Sequence, residues 1–575
     1  METLIPKALE PKRKYLKENF DCSSWETIKE YCEELLERKI NSVKEVEQWI
    51  LDCSELEAAC AEDKRWRYIK MSVNSNDKEA AERYNYYVKE IGPKMSAFEN
   101  ELNIKLLDSP YLSLLDQEKY FIYLRRLKQE REIYREENVQ LLVDAQMTSQ
   151  QFGETSSKMT IEHDGEELTI QQAAKLLNSK DRALRKSIYT KIATCRLEYT
   201  DQFDQIYSDT IALRHQVALN AGFKNYRDYK FAELKRFDYS PVDCFQFHNS
   251  IASEIMPIAE ELALARKKAL GVETLQPWDL MVDVTGDQPI KPYDGEEDMI
   301  NKSIECLNAT HPYFGQCLTV MREMGRLDLS TRKGKRPGGY NMSLPESGVP
   351  FIFMNSADTV KDVRVMMHEC GHAVHSFLVN DFPVAGFKKL TAEIAELAAM
   401  SMELLTMDHW DVFIKDKKEL RRAKLYQLTS LLELTPWIAT IDKFQQWVYT
   451  NPGHSVAERD TAWLEIYNEF TPTCLDWNGV EHSKMKHWQK QLHLYEFPFY
   501  YIEYGFAQLG AIAIWRNYCE NPGETVDNYI KALKLGYTRP IGEIFETAGI
   551  RFDFSAEYIK SLAEFVKGKI KEYSA

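Results

Sequence analysis

Hydrophobic residues recur every three or four positions along most of this 575-residue chain, which is the spacing of amphipathic helices. From about residue 11 to residue 150 this spacing predicts successive helices separated by short polar or Pro-containing breaks. The clearest of them cover residues 25–36, 43–60, 80–106 and 118–147. The same spacing returns at Gln171 and continues past Arg214, so the chain is predicted to be mainly α.

Two stretches depart from the helical spacing. Residues 158–170 alternate around Asp164-Gly165, which is a strong signal for a two-residue hairpin turn. Residues 341–344 and 350–355 are short apolar runs bounded by Pro and Gly, and they predict strands of a small sheet. An extended peptide could add to the edge of such a sheet, but a purely structural hairpin fits this pattern equally well.

Directly after these strands, residues 359–378 predict one helix that Thr359 or Asp358 can cap. Positions four apart share a helix face, so His368 and His372 can present two imidazoles to a single metal ion. Glu369 then points beside that ion, where it can take a proton from water. This is the H-E-x-x-H arrangement of zinc peptidases.

A catalytic zinc ion needs a third protein ligand, and the alanine-rich helix predicted at 391–405 offers three glutamates. Acidic residues among Ala, Leu and Met are unusual unless they are paired or bound. We expect Glu396 to be the ligand, with Glu393 as the reserve choice. Glu403 lies on the same face as Glu396 and is expected to hold a histidine N–H outside the ligand shell.

Two further residues of the metal helix need an interpretation. A metzincin would need Gly at 375 and His at 378, whereas this chain has His375 and Leu378. His375 shares the ligand face and is expected to hydrogen-bond outside the ligand shell, or else simply to pack. Cys370 faces away from the two histidines on an ideal helix, so we interpret it as a packing residue.

The stretch 487–504 is the densest aromatic segment of the chain. Phe497, Phe499 and Trp488 are expected to be core residues. A peptidase also needs a donor that shares the negative charge developing on the scissile carbonyl oxygen. The candidates are Tyr504 and His493 first, followed by Tyr500 and Tyr501.

Composition narrows the possible functions. The net charge is −16 and there is no long Lys/Arg run, which argues against nucleic acid and anionic membrane surfaces as partners. The start of the sequence lacks a secretory signal, and no apolar run is long enough to span a bilayer. Eleven scattered cysteines are typical of reduced thiols, so a cytoplasmic location is expected. We predict an N-terminal helical region with a small hairpin over 1–200 and a catalytic domain over 201–575.

These motifs together resemble the thimet oligopeptidase/oligoendopeptidase F family of zinc metallopeptidases, with the bacterial oligoendopeptidases and Pz-peptidases as the nearest likeness. The matching segments are 368–375, 396–403, 334–340 and 493–504, together with the hairpin and helix at 159–179. The resemblance implies a mainly α, zincin-like, two-lobed helical ellipsoid with a deep substrate channel and a small β-sheet beside the metal helix.

The resemblance also implies roles for individual residues. One zinc ion per chain is expected on His368, His372 and Glu396, with Glu369 as the general base. His493, Tyr504 and Tyr501 are expected to act in catalysis. Gly339, Tyr340 and Tyr500 are expected to contact substrate.

The function implied is hydrolysis of internal bonds in short unfolded oligopeptides. A peptidyl-dipeptidase of the same superfamily is the alternative among enzymes. A non-catalytic, zinc-dependent peptide-binding protein is the alternative outside enzymes, although it predicts damage to Glu369 or to the ligands, and all of these residues are intact. The oligomeric state is left open.

Overall fold

The computed structural model describes residues 13–286 and 289–574, which are mainly helical, as predicted. The elements, in chain order, are α1 Trp25–Glu37, α2 Val43–Val73, α3 Lys78–Tyr86, α4 Gly92–Leu107, α5 Phe121–Ile133, α6 Glu137–Ser157, β1 Thr160–His163, β2 Glu166–Thr169, α7 Ile170–Lys175, α8 Arg182–Glu198, α9 Thr200–Asn220, α10 Tyr226–Glu233, α11 Pro241–Ser250, α12 Met256–Leu270, α13 Gly295–Thr310, α14 Pro312–Glu323, β3 Leu327–Ser330, β4 Tyr340–Met342, β5 Phe351–Ser356, α15 Val360–Leu378, α16 Ala385–Lys388, α17 Ala392–Leu405, α18 Lys417–Thr450, α19 Val456–Glu469, α20 Glu481–Met485, α21 Leu492–Glu496, α22 Tyr501–Glu520, α23 Pro522–Lys534, α24 Ile541–Thr547 and α25 Ala556–Ser574.

The N-terminal helices agree with the predicted ones in place but not always in length. The helix predicted at 43–60 continues to Val73. The single helix predicted at 118–147 is wrong, because Tyr134 adopts an extended conformation that separates α5 from α6. Between α3 and α4 the chain forms a π turn at Tyr87–Ile91, which ends two residues before Pro93. Proline has no N–H for the helical ladder, which accounts for the local change of register.

The predicted hairpin is confirmed. β1 and β2 pair antiparallel, and Asp164 and Gly165 have φ values of 53° and 81°. Both central residues therefore have positive φ, which is the requirement of a type I′ turn that Asn-Gly and Asp-Gly pairs meet.

The chain divides into two compact units, each made of segments that are distant in the sequence. The first unit contains the described residues up to Tyr134, together with Ile290–Leu420 and Gly510–Phe552. One core cluster in this unit joins side chains of α1, α2, α4 and α5 with Val384 and Phe387. The predicted boundary near residue 200 divides the chain into two consecutive segments, whereas each of these units combines several separate segments. The predicted boundary stays a prediction.

A three-stranded sheet in the first unit leads into α15. β5 is the central strand, with β3 parallel on one side and β4 antiparallel on the other. The strands predicted from residues 341–344 and 350–355 correspond to β4 and β5, whereas β3 was not predicted. The sheet leaves β4 as an edge strand.

The second unit contains Arg135–Pro289, Arg421–Leu509 and the described residues from Asp553 onward. Its core is rich in aromatic rings. The rings of Tyr207 and Trp488 lie 5.0 Å apart between centroids, and those of Phe444 and Trp463 lie 5.1 Å apart. None of the described helices combines the length and apolar content that crossing a bilayer requires.

Candidate active site

The N-terminus of α15 is fixed by a capping box. The amide of Asp362 donates to the side chain of Thr359, and the Asp362 carboxylate accepts from the Thr359 amide at 2.8 Å. The same carboxylate accepts from the hydroxyl of Tyr293 at 2.8 Å and from the amide of Ala357 at 2.9 Å. Thr359, rather than Asp358, is therefore the capping residue, and the helix starts at a rigid point.

Gly371 allows α15 to lie against the backbone of α17. A Cβ atom at this position would be 2.6 Å from the carbonyl oxygen of Ala398 and 2.6 Å from Cα of Ala399. No side chain fits at such distances from main-chain atoms. The glycine between the two histidines, together with the small alanines of α17, thus brings the two helices close enough to share a metal ion.

The structure brings together the three predicted metal ligands. Ligand atoms of His368, His372 and Glu396 all lie within 4.8 Å of one another. Oε2 of Glu396 lies 3.4 Å from Nε2 of His368 and 4.0 Å from Nε2 of His372. Glu393 is also buried, but it does not belong to this cluster among the described residues.

Glu403 holds the other nitrogen of His368. Oε1 of Glu403 lies 2.8 Å from Nδ1 of His368, so that Nε2 faces Glu396. Burial lowers the pKa of His368, but the carboxylates of Glu403 and Glu396 more than offset this effect and raise it to about 9. A carboxylate on the distal nitrogen is the usual way to orient a metal-binding histidine.

Glu369 is buried beside this cluster. Burial and the nearby carboxylates of Glu396 and Glu403 raise its pKa to about 7, although His368 opposes the effect. Among the described residues, Oε2 of Glu369 has no hydrogen-bond partner. The main-chain oxygen of Glu369 accepts from the side chain of Asn341 at 3.1 Å, which ties β4 to α15. A carboxyl group whose pKa lies near 7 can take up and release a proton at neutral pH.

The remaining residues predicted on α15 are both buried. Burial raises the pKa of the Cys370 thiol well above its usual value, which argues for an unreactive packing residue. Burial lowers the pKa of His375 to about 3. No hydrogen bond joins a His375 ring nitrogen to another described side chain, and its predicted role stays a prediction.

Gly339 and Tyr340 lie where the chain enters β4. The ring of Tyr340 stacks on Phe353 with a centroid distance of 4.8 Å, and its hydroxyl is 2.5 Å from the hydroxyl of Ser72. A Cβ at Gly339 would be 3.3 Å from the carbonyl oxygen of Phe353. Contact of these two residues with substrate stays a prediction.

In the second unit, the aromatic segment turns sharply between α21 and α22. Phe499 has a φ of 65°, a left-handed conformation that is unfavourable for a bulky side chain. The amide of Phe499 donates to the side chain of Gln445 at 2.6 Å, and its carbonyl oxygen accepts from Arg236. Arg214 similarly donates to the carbonyl oxygen of Tyr495. Buried polar side chains from distant parts of the sequence therefore fix the path of this segment.

The candidate donors gather around His493. Its ring centroid lies 4.8 Å from that of Tyr501, 6.1 Å from Tyr504 and 6.2 Å from Tyr500. Burial lowers the pKa of His493 to about 4. Trp488 and Phe499 are buried as predicted, but the prediction for Phe497 is wrong, because this residue is 49% exposed. The turn at Pro498-Phe499 sends the Phe499 ring into the core, and Phe497 stays outside next to His493.

Several residues of these sites had no signal in the sequence. Asn341 contacts the main chain of α15, and Gln491 contacts His493. Arg214 and Arg236 donate to main-chain oxygens of residues 492–504, which carry the candidate donors and are called the donor segment below. The contacts of Asn341, Arg214 and Arg236 join residues that are distant in the sequence, and no spacing rule predicts them. Gln491 and His493 are only two residues apart, but their contact depends on the side-chain conformations.

Family models match most of the chain. The model described as peptidase family M3 matches residues 175–564, and the model of the peptidase M3 N-terminal domain matches residues 17–134.

Curated relatives match with lower coverage. The chain is 21% identical over 408 residues to "Oligoendopeptidase F homolog" of Lactococcus lactis subsp. lactis, an alignment that covers 71% of this chain and 66% of the relative. It is 22% identical over 402 residues to "Oligopeptidase PepF" of Bacillus subtilis, covering 69% of this chain and 58% of the relative. The alignments thus span less than two thirds of these relatives.

Solved structures match almost over the full length. A structure described as "PZ PEPTIDASE A with inhibitor 2" superposes with a TM-score of 0.89 and 26% identity, covering 97% of this chain and 99% of that one. Oligoendopeptidase-F from Enterococcus faecium superposes with a TM-score of 0.65 and 15% identity, and this likeness concerns the fold alone. It covers 95% of this chain and 96% of that one.

Proposed function

Because the chain belongs to peptidase family M3, we propose that it is a zinc-dependent oligopeptidase that hydrolyses internal bonds of short unfolded peptides. The observation that carries this proposal is the cluster of His368, His372 and Glu396, whose ligand atoms lie within 4.8 Å of one another, with Glu369 buried beside it.

The residues of the cluster fit zinc. Two imidazoles and one carboxylate form the ligand set of many catalytic zinc sites, which keep a further position open. Glu403 accepts from Nδ1 of His368 and leaves Nε2 for the metal. We therefore propose one zinc ion per chain on His368, His372 and Glu396. When bound, zinc supplies Lewis-acid chemistry that acidifies water and polarises a carbonyl group.

Glu369 is the proposed general base. It takes a proton from the water that attacks the scissile carbonyl and passes this proton to the leaving amine. In the metal-free protein, burial and the nearby carboxylates raise its pKa to about 7, so this carboxyl group is able to exchange a proton at neutral pH. Tyr504 and His493 are proposed to donate hydrogen bonds to the oxyanion that forms, with Tyr501 beside them. Tyr500 is proposed to contact the substrate.

The substrate is proposed to bind as an added strand. β4 is an edge strand, so its main chain can pair with an extended peptide. Gly339 and Tyr340 lie at its entrance, and Asn341 connects it to α15 through the main-chain oxygen of Glu369. Recognition through main-chain groups would accept many peptide sequences in an extended conformation.

The proposal is tested by incubating the wild type and Glu369→Gln with a mixed peptide library and mapping the cuts by mass spectrometry. We expect internal cuts in short peptides by the wild type. The variant should keep its zinc and lose about 10²–10⁴-fold in rate. Equal activity of the two proteins would refute the role of Glu369.

The same library separates the alternatives. Stepwise loss of C-terminal dipeptides would identify a peptidyl-dipeptidase instead. Binding of peptides without any cleavage by the zinc-loaded wild type would identify a peptide-binding protein. The cytoplasmic location, predicted from the scattered cysteines, is kept as part of the proposal.

A further inference from the structure

A chain of hydrogen bonds in the second unit ends at His493. Nε1 of Trp437 donates to Oε1 of Gln491 at 3.1 Å, and the hydroxyl of Tyr501 donates to the same oxygen at 3.3 Å. On the other side of the amide, Nε2 of Gln491 lies 2.8 Å from Nδ1 of His493. The contact between Gln491 and His493 determines which ring nitrogen of the histidine carries the proton.

The chemistry of Trp437 removes an ambiguity that glutamine side chains usually have. The oxygen and nitrogen of an amide are normally assigned from their partners. An indole N–H can only donate, so the amide group that faces it must be the oxygen. The NH₂ group of Gln491 must then face His493, and Nδ1 of His493 must accept. The proton of the neutral imidazole is therefore on Nε2.

We propose that Gln491 is a positioning residue that holds His493 in the tautomer protonated at Nε2, and that Trp437 fixes the orientation of Gln491. This inference rests on the proposed function of His493 as a donor to the oxyanion, and it explains how a neutral histidine keeps that capacity. In the opposite tautomer, Nε2 would carry a lone pair and would repel the oxyanion.

The surroundings of His493 support the neutral ring. Burial alone lowers its pKa to about 4, and no charged side chain contributes to this shift. The rings around it belong to Phe497, Tyr500, Tyr501 and Tyr504. A neutral imidazole has one N–H only, so the nitrogen that carries the proton decides whether Nε2 can donate.

Gln491→Glu tests the inference with a nearly isosteric change. One carboxylate oxygen can still accept from Trp437 and Tyr501, but the other can only accept from His493. Nδ1 must then carry a proton, either in the neutral ring or in the imidazolium ion. The new negative charge also raises the pKa of His493. Below that raised pKa the imidazolium still donates from Nε2, and above it the donor is lost.

The expected result is a pH-dependent loss of kcat. The ratio of kcat between Gln491→Glu and wild type should fall as the pH rises, to a loss of about 10²–10³-fold, with little change in KM. A ratio that does not depend on pH would overturn the proposal. Trp437→Phe, which removes the indole donor but leaves Tyr501, should lower kcat by a smaller factor. An unchanged kcat in this variant would show that Trp437 does not fix the orientation of Gln491.

The tautomer itself can be read without any activity. Long-range ¹H–¹⁵N spectra of the zinc-loaded protein labelled with ¹⁵N-histidine distinguish the protonated from the unprotonated ring nitrogen, and His493→Gln assigns the signals. We expect Nε2–H in the wild type and Nδ1–H in Gln491→Glu. Finding Nδ1–H in the wild type would overturn the inference even if the protein cleaves peptides. An inactive wild type with Nε2–H would refute the proposed function but would still support the role of Gln491 in setting the tautomer of His493.

A matched control is Gln172→Glu. Gln172 is exposed in the second unit and completes the capping box of Thr169, where glutamate serves equally well. This variant carries the same chemical change and should match the wild type in kcat, pH profile and His493 spectrum.

Discussion

The group of candidate metal ligands His368, His372 and Glu396, called here the metal cluster, and the donor segment are held in place in opposite ways. The three candidate ligands lie on two long helices in direct contact, and Gly371 allows that contact. The donor segment instead consists of the short helix α21, a left-handed Phe499 and the start of α22. Its path is fixed by buried side chains from distant parts of the chain, among them Arg236 and Gln445.

This difference matters for how each region responds to change. In the first region, helix periodicity places His368 and His372 on one face, and the contact at Gly371 brings Glu396 to them. Substitution of a ligand there should act through metal binding. In the second region, the backbone of Phe499 stores strain of about 1–3 kcal/mol, which other contacts must offset. Loss of an anchor there should act through stability.

The largest effect is expected for Glu396→Gln. An amide is a poorer zinc ligand than a carboxylate, so the variant should lose its zinc on dialysis. Hydrolysis should fall by more than the roughly 10²–10³-fold that loss of one oxyanion donor costs. Zinc content by elemental analysis and peptide hydrolysis are measured together. Glu393→Gln, on the same helix, is the control and should keep the metal. The reverse result would assign the ligand to Glu393.

A large effect on stability is expected for Arg236→Met. Arg236 donates to the carbonyl oxygen of Phe499 and, at 2.7 Å, to the buried carboxylate of Glu503. Removing one partner of a buried ion pair costs about 3–5 kcal/mol. For cooperative unfolding of the 575-residue chain, this loss corresponds to a drop in Tm of about 2–4 °C. Thermal unfolding followed by circular dichroism measures this change.

Two variants control for the Arg236 result. Arg227→Met removes a partly exposed arginine paired with Asp228 and should change stability by less than about 1 kcal/mol. Adding Glu503→Gln to Arg236→Met removes the negative charge of the buried carboxylate and should recover part of the loss. An Arg236→Met protein as stable as the Arg227→Met protein would show that the segment does not depend on this anchor.

Tyr504→Phe tests the chemistry of the donor segment without disturbing its packing. If the hydroxyl donates to the oxyanion, kcat should fall about 10²–10³-fold while KM changes little. Steady-state kinetics with an internally quenched peptide separate the two constants. Tyr426→Phe, at a tyrosine that is 54% exposed, should be neutral. A normal kcat in Tyr504→Phe would remove Tyr504 from the proposed mechanism.

The shared helix face of His368 and His372 could be predicted from local information, whereas their meeting with Glu396 depends on the contact between two helices at Gly371. His368 and His372 are one helical turn apart, and Glu396 is an acidic residue on an apolar helix. The capping box at Thr359 and the hairpin at Asp164-Gly165 also follow from neighbouring residues. The helix face of the two histidines, the helix cap and the hairpin need only a period, a capping rule or a turn rule.

The donor segment could be predicted only in part. Its aromatic residues and His493 stand out in the sequence, but nothing there shows which ring enters the core. The exposed position of Phe497 depends on the positive φ at Phe499, and that conformation depends on Gln445 and Arg236. Gln491 and Trp437 are 54 residues apart, so their contact is a result of tertiary packing. The sequence does not predict the break at Tyr134, because periodic apolar residues continue on both sides of it.

The smallest effect is expected for Thr359→Ala, which removes a local signal from the metal region. The Thr359 hydroxyl accepts from the amide of Asp362 at 3.4 Å, and losing an N-cap costs about 0.5–2 kcal/mol. The Asp362 carboxylate keeps its bonds to Tyr293 and Ala357, so the ligands should stay in place and kcat should not change. Stability is measured on zinc-free protein, since bound metal would mask the loss.

Thr461→Ala, in the exposed interior of α19, is the control and should stay within about 0.5 kcal/mol of wild type. A fall in kcat for Thr359→Ala would mean that the metal cluster depends on its helix end, and that the contrast with the donor segment is weaker than the contacts indicate.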